Sequence, residues 1–305
     1  MRGALCLILT GFFLGTTGIW VKLIGTSVSP LLLTILRTIF AAALLLLFIL
    51  FAKDLKTLET LGIKRKNLLY FLAAGFFGVT LGFGLYVKSF TYVPVANAVL
   101  LVYIYPLVTA FLSWVLLKEK ITKWELVALL LVLAGVWSIY GSELSLETHA
   151  WGNLLALFAG VAYSVFIVFM RYFERKGLPY WKVSFWPLLI GGLILMLFLP
   201  LEPLAFYPSG PVLIFIFGIA LASFLGYIFY AKGLKTIRAH NAVIISSLTE
   251  PMTAIILAFL ILGESLPRHV IFGGFLIILA NIIIGREHRK KRVERKANEG
   301  FGWVW

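Results

Sequence analysis

Ten long apolar stretches follow one another along this chain. They lie near residues 3–24, 29–52, 67–88, 95–117, 122–141, 150–172, 180–200, 211–233, 240–262 and 268–285. A helix of ~20 apolar residues crosses a bilayer core, because in lipid each backbone N–H and C=O must find its partner inside the segment. Ten such helices consume about two-thirds of 305 residues. Only short loops remain, so a separate soluble domain has no room. Composition agrees: 61% of residues are hydrophobic and 13% charged, against about 25% charged in soluble domains. Soluble and disordered classes are excluded. The punctuation between stretches is that of loops: Ser29-Pro30, Gly177-Leu178-Pro179, Pro200 to Pro211 and Leu266-Pro267. No A-x-A-like site follows the first stretch, so it reads as a span and not as a cleaved signal.

Charge sets the topology. Lys and Arg gather in cytoplasmic loops. With the N-terminus inside and spans alternating, the inner segments hold 23 of the 27 basic residues. The outer ones hold Lys22, Lys88 and Arg268, and Arg37 falls within span 2. Both termini are therefore expected in the cytoplasm of a multi-pass protein of the cell (inner) membrane. The net charge of +14 could suggest nucleic acid, but its distribution assigns it to topology. The basic tail over 286–305 is expected to fix orientation and to bind no nucleic acid.

The two halves repeat. Gly3, Gly11, Lys22 and Pro30 match Gly152, Gly160, Arg171 and Pro179 at an offset of 149. Tyr86, Lys88 and Asn97-Ala98-Val99 match Tyr230, Lys232 and Asn241-Ala242-Val243 at 144; Pro106 and Glu119 match Pro251 and Glu264 at 145. Five spans per half is odd, so the second half enters from the opposite side. The expected fold is all-α: ten transmembrane helices in two inverted five-helix repeats, 1–145 and 146–285, followed by the basic cytoplasmic tail 286–305. Inverted repeats suit a carrier, because similar halves rock about a shared midplane site.

Ser29-Pro30 with Arg37, Asn97 to Pro106, Leu117-Lys118-Glu119, Glu250-Pro251, Leu262-Gly263-Glu264, Gly135 and Gly273-Gly274 carry a resemblance in their order and duplication. The chain resembles the drug/metabolite transporter superfamily, in its ten-helix EamA-type members. Lys118 departs from the glycine usual there. The resemblance covers all but the tail. It implies secondary transport of small metabolites, often amino acid export, by alternating access, with spans 1, 3, 4, 6, 8 and 9 lining a central cavity.

Glu250 is the sharpest candidate for the site. It lies about ten residues into span 9, near the membrane centre. A carboxylate there is costly unless paired, hydrated or protonated, so it is read as binding a substrate ammonium or taking up a coupling proton. The alternative is a structural carboxylate held by a neighbouring helix. Arg37, eight residues into span 2, would bind a carboxylate, pair with Glu250 or anchor the helix to backbone carbonyls. Asn97 and Asn241 open spans 4 and 9; they could reach substrate, cap a helix or bond across helices. Trp20, Tyr86, Tyr105, Tyr163 and Tyr227, together with Tyr103 and Tyr230, fall on spans that the resemblance turns toward the cavity. Pro106 and Pro251 are expected to kink spans 4 and 9. Gly11, Gly15 and Gly18, and Gly75, Gly78 and Gly82, give small faces for close helix packing.

An enzyme is not expected. His149, His240, His269 and His288 lie apart, Cys6 is the single cysteine, and no metal-ligand or nucleophile spacing occurs. No cofactor, metal or obligatory protein partner is expected. The partners are the lipid bilayer, a small-molecule substrate and a candidate coupling proton. The function expected is export of amino acids or related zwitterions, with a proton-coupled exporter of drugs or organic cations as the alternative and an integral membrane enzyme as the remote one.

Overall fold

A computed structural model of the chain describes residues 2–52, 61–117, 123–141, 147–201, 203–234 and 239–300. Those residues are helical, with no strand among them beyond one isolated antiparallel bridge. Five helical stretches are long and apolar enough to cross a membrane: Gly3–Ser27, Pro30–Phe51, Arg65–Ser89, His149–Met170 and Gly210–Tyr230. Five shorter apolar stretches accompany them: Val95–Thr109, Leu126–Ile139, Trp181–Met196, Thr249–Leu262 and Arg268–Ile283. Each stretch anticipated from hydropathy overlaps one of these.

The helices are numbered in chain order. They are α1 (Arg2–Gly15), α2 (Thr17–Ile24), α3 (Pro30–Ala52), α4 (Arg65–Gly75), α5 (Gly84–Ser89), α6 (Val95–Val102), α7 (Tyr105–Leu117), α8 (Lys123–Gly141), α9 (Glu147–Arg175), α10 (Tyr180–Met196), α11 (Gly210–Leu234), α12 (Ala239–Leu262) and α13 (Arg268–Gly300). A π-helical segment, Phe76–Phe83, joins α4 to α5. The basic segment after residue 285 continues α13 as far as Gly300.

Packing turns ordinary globular logic inside out. Large apolar side chains such as Leu130, Trp137, Phe217, Leu260 and Phe275 are exposed, far beyond what a water-facing surface tolerates. They face lipid. Between helices, where lipid tails compete equally well for apolar contact, small residues bring backbones together. A Cβ added at Gly135 would stand 2.7 Å from the Gly273 carbonyl oxygen, and one at Gly273 would stand 2.6 Å from that of Gly135. Helices α8 and α13 are therefore joined backbone to backbone. The same device ties α1 to α12, as described below.

Two loops close one end of the bundle. Ser29 N–H donates to the Ala205 carbonyl at 2.9 Å, and Tyr207 N–H to that of Ser27 at 2.8 Å. At the other end, Lys182 and Trp186 sit one turn apart on α10 and so share a face. Lys182 donates to the Gly62 carbonyl, and Trp186 Nε1 to the Leu61 carbonyl at 2.7 Å. These bonds hold the start of α4 against α10.

Candidate functional site

The site begins with an interrupted helix. Pro106 has no N–H, and its ring crowds the carbonyl one turn back. The chain responds by ending α6 at Val102, turning over Tyr103 and Ile104, and restarting as α7 at Tyr105. Tyr103 and Ile104 bond back by three residues, to Leu100 and Leu101 at 3.2 Å each. The turn is fixed from outside. Asn281 Nδ2 on α13 donates to the Tyr103 carbonyl at 3.3 Å, and Ser164 Oγ on α9 to the Tyr105 carbonyl at 3.0 Å. Pro251 behaves differently: α12 runs unbroken through it. The two prolines were expected to act alike, and only the first interrupts its helix. The Pro106 side chain itself lies outside the described residues.

Glu250 faces that break. The Tyr103 hydroxyl lies within hydrogen-bonding reach of its carboxylate. Its backbone is fixed by α1, whose glycines leave room for direct contact. A Cβ at Gly11 would lie 2.8 Å from the Glu250 nitrogen, and one at Gly15 2.5 Å from the Glu250 oxygen. Side chains larger than hydrogen are excluded there, as the glycine spacing anticipated. Tyr86, Tyr105, Tyr163 and Tyr227 all lie within the electrostatic reach of Glu250. All four, and Glu250 itself, are half-buried. Among the described residues, none of the four hydroxyls has a hydrogen-bond partner.

Arg37 lies on α3. It is only 3% exposed. Its Nε donates to Ser223 Oγ on α11 at 2.8 Å. Its guanidinium lies 4.6 Å from the centre of the Phe83 ring, a cation–π contact. Phe83 ends the π-helical segment, whose extra residue per turn re-aims side chains and recurs at functional sites. The buried Nη1 of Arg37 has no hydrogen-bond partner. Arg37 and Glu250 sense each other's charge, yet no ion pair joins them.

An aromatic wall runs from one charge to the other. Tyr103 and Tyr105 rings are 5.5 Å apart, Tyr105 and Tyr163 5.1 Å, and Tyr163 and Phe83 6.4 Å. So the wall starts at the hydrogen-bond partner of Glu250 and ends at the ring beneath Arg37. The arrangement gathers a carboxylate, a guanidinium and several tyrosine hydroxyls along one aromatic wall. Chemically it can hold a molecule carrying both signs of charge. Among the described residues, no three His, Cys, Asp or Glu side chains gather to hold a metal.

Other anticipated residues lie elsewhere. Trp20 packs outward from the cluster: its Nε1 donates to Thr16 Oγ1 at 3.0 Å, and its ring lies against Gly218 and Phe215 of α11. Asn97 is 2% exposed within α6, where its neighbours Ala96, Ala98 and Val99 belong to the core. Asn241 lies on α12, with its side chain outside the described residues. Sequence reasoning missed Ser223 and Phe83 and gave Tyr103 no particular role. A signal existed for the first two. Ser223 precedes Tyr227 by four residues and Phe83 precedes Tyr86 by three, so each shares a helix face with an anticipated cavity residue.

A multi-pass helical membrane protein that gathers a carboxylate, a guanidinium and several tyrosines inside its bundle fits, as a class, a membrane transporter. Comparison with known proteins specifies which. The EamA-like transporter family model matches residues 1–141 and 150–286, and the chain belongs to that family. It is 24% identical to the uncharacterized transporter YwfM of Bacillus subtilis, over 97% of each chain. It is 27% identical to the uncharacterized inner membrane transporter YicL of Salmonella typhimurium, over 95% of this chain and 97% of that one. An uncharacterized transporter of Archaeoglobus fulgidus is 25% identical, over 93% and 97%. One solved crystal structure shares the fold with a TM-score of 0.66 and 19% identity, covering 94% of this chain and 98% of its own.

Proposed function

We propose that this EamA-family protein is a secondary carrier of amino acids or related zwitterions, working in the export direction by alternating access. In this reading ten spans form two inverted halves in the inner membrane, with both termini cytoplasmic. The matched family segments, 1–141 and 150–286, support the two-half reading. So does the concentration of basic residues in the segments assigned to the inside.

One observation carries the substrate class. A buried guanidinium with an unbonded Nη1 and a half-buried carboxylate sense each other's charge without forming an ion pair. A buried charge without a partner is costly. A zwitterion completes both: its ammonium at Glu250 and its carboxylate at Arg37. The tyrosine hydroxyls then serve the remaining polar atoms. Substrate binding neutralises the site, and the loaded carrier reorients more readily than one holding exposed charges in lipid.

A second reading rests on the tyrosine rings around Glu250. Such rings also favour a lone organic cation, exchanged against a proton at the same carboxylate. Counterflow of labelled amino acids in proteoliposomes separates the two. Uptake lost in both Glu250→Gln and Arg37→Ala supports the zwitterion. Uptake of lipophilic cations that survives Arg37→Ala, with no amino acid uptake, supports the alternative. Normal amino acid counterflow in both variants refutes the site.

A further inference from the structure

Where α4 begins and α9 ends, the bundle carries a cluster that the central site does not use. Lys66 and Tyr70 lie one turn apart on α4 and so share a face. Tyr172 lies in the last turn of α9, and the Lys176 N–H donates to its carbonyl at 3.2 Å. Lys176 thus completes the turn that follows Tyr172. The two helices meet through their rings. Tyr70 stacks on Tyr172 with centroids 4.4 Å apart, and the next residue of each helix repeats the contact, Phe71 on Phe173 at 4.3 Å. The phenylalanine pair is fully buried, whereas Tyr70 is exposed and Tyr172 half-buried. The core side of this double stack is therefore apolar, and its outer side carries two phenols.

Both lysines lie beyond the tyrosines, toward the end of the bundle. Lys66 comes one turn before Tyr70, near the start of α4, and Lys176 one turn after Tyr172, just past the end of α9. Lys176 Nζ is 5.6 Å from the centre of the Tyr172 ring, a cation–π distance. Both lysines are exposed, and among the described residues neither is ion-paired. Around and past Tyr70 the surface of α4 is apolar. Leu69 is 72% exposed, and Leu68 and Leu72 are exposed as well. Cations, phenols and an apolar strip follow one another in the order in which a bilayer presents phosphate, interface and acyl chain. The need for positive charge inside explains lysines in these segments. It does not explain one lysine on each of two helices, flanking a tyrosine stack that joins them.

We propose that this face binds an anionic phospholipid of the inner leaflet, with its phosphate between Lys66 and Lys176 and an acyl chain along Leu69 and Leu72. Lys66 belongs to the first matched family segment and Lys176 to the second, so the bound lipid bridges the two. The choice of leaflet rests on the orientation given under the proposed function. The site itself depends neither on that orientation nor on the substrate. A free phosphate offers the same charge to the lysines, but it leaves the apolar strip unused.

The test is native mass spectrometry of the detergent-solubilised protein titrated with phosphatidylglycerol or phosphatidylcholine, beside thermal unfolding of the same samples. The parent retains phosphatidylglycerol and gains Tm from it, and phosphatidylcholine does neither. Lys66→Gln and Lys176→Gln each weaken phosphatidylglycerol binding by about fivefold, the scale of one lysine at an anionic lipid surface. Together they weaken it by about thirtyfold. Lys66→Arg with Lys176→Arg keeps it. Lys123→Gln with Lys232→Gln removes two exposed cations from α8 and α11 and leaves it unchanged. Parent-level binding in the Lys66→Gln, Lys176→Gln pair overturns the proposal, and so does an equal loss in the Lys123→Gln, Lys232→Gln pair. Inorganic phosphate that raises Tm as much as phosphatidylglycerol also overturns it, in favour of a soluble anion. Binding in detergent is blind to orientation, which Lys176→Cys in a Cys6→Ser background reports. Labelling of that cysteine in intact cells by an impermeant maleimide overturns the inner leaflet and the orientation together, while the binding result stands.

Discussion

The Tyr103 hydroxyl reaches toward the Glu250 carboxylate, within hydrogen-bonding range, from the very turn at which its own helix is interrupted. The break in one helix and the charge on another are thereby one structural unit, braced from behind by Asn281. Tyr103→Phe removes the hydroxyl and keeps the 4% exposed ring. A hydrogen bond to a charged group contributes about 1.5–3 kcal/mol, so apparent substrate affinity falls by about tenfold or more. Glu250→Gln abolishes counterflow altogether. Concentration-dependent counterflow in proteoliposomes checks both. Equal affinity in Tyr103→Phe and the parent means the bond does not position Glu250 for substrate.

Arg37 depends on Ser223 and Phe83 for its position. Ser223→Ala leaves Nε without its 2.8 Å partner, at a cost of about 1–3 kcal/mol for an unsatisfied buried donor. Phe83→Leu removes the ring 4.6 Å from the guanidinium, at about 1–2 kcal/mol for a desolvated cation–π contact. Thermal unfolding in detergent should show a lower Tm for each, with counterflow weakened more than expression. A Tm unchanged in both variants contradicts this account of how the cation is held.

The contact between α1 and α12 admits nothing larger than glycine. Gly15→Val places methyl groups against the Glu250 carbonyl and the Thr253 side chain. Overpacking costs about 1–3 kcal/mol, and the shift falls directly on the Glu250 backbone. We expect lower stability and lost counterflow together. Gly210→Ala serves as control, because nothing lies within 4 Å of its added Cβ. A stable, active Gly15→Val protein would show that the helices separate at no cost.

Trp186→Phe tests the far end of the bundle. It deletes the 2.7 Å bond to the Leu61 carbonyl and keeps most of the ring packing. Stability should fall by about 1 kcal/mol, while substrate affinity stays at the parent value. A change in affinity without a change in Tm would place Trp186 in the site instead.

Trp186 also shows where sequence correspondence stops. The offset of 149 places it at the position equivalent to Arg37. Yet its indole N–H ties down a loop, whereas Arg37 is buried against Ser223 and Phe83. Tyr105, at the position equivalent to Glu250, flanks the helix break while Glu250 lies in a continuous helix. Matched positions in the two halves thus differ in use, because each side chain meets the neighbours of its own half. Trp20 and Asn97 illustrate the same limit. Residue type and span nominated them, and packing directed one onto α11 and buried the other in the core.

The sequence by itself determined the class of the protein. Its apolar stretches commit the chain to lipid, since only helices satisfy their backbone bonds there, and its few intramembrane charges stand out against that background. Local chemistry was also legible: proline marked the broken helix, and glycine spacing marked the close approach of α1 to α12. Only the tertiary structure decided that Arg37 and Glu250 stay unpaired, that Tyr103 comes within hydrogen-bonding reach of the carboxylate, and that the Glu264 carboxylate accepts from the Val95 N–H at the start of α6. Those outcomes depend on distances between helices far apart in the chain. Such distances follow from the packing of the whole bundle, which no window of sequence contains.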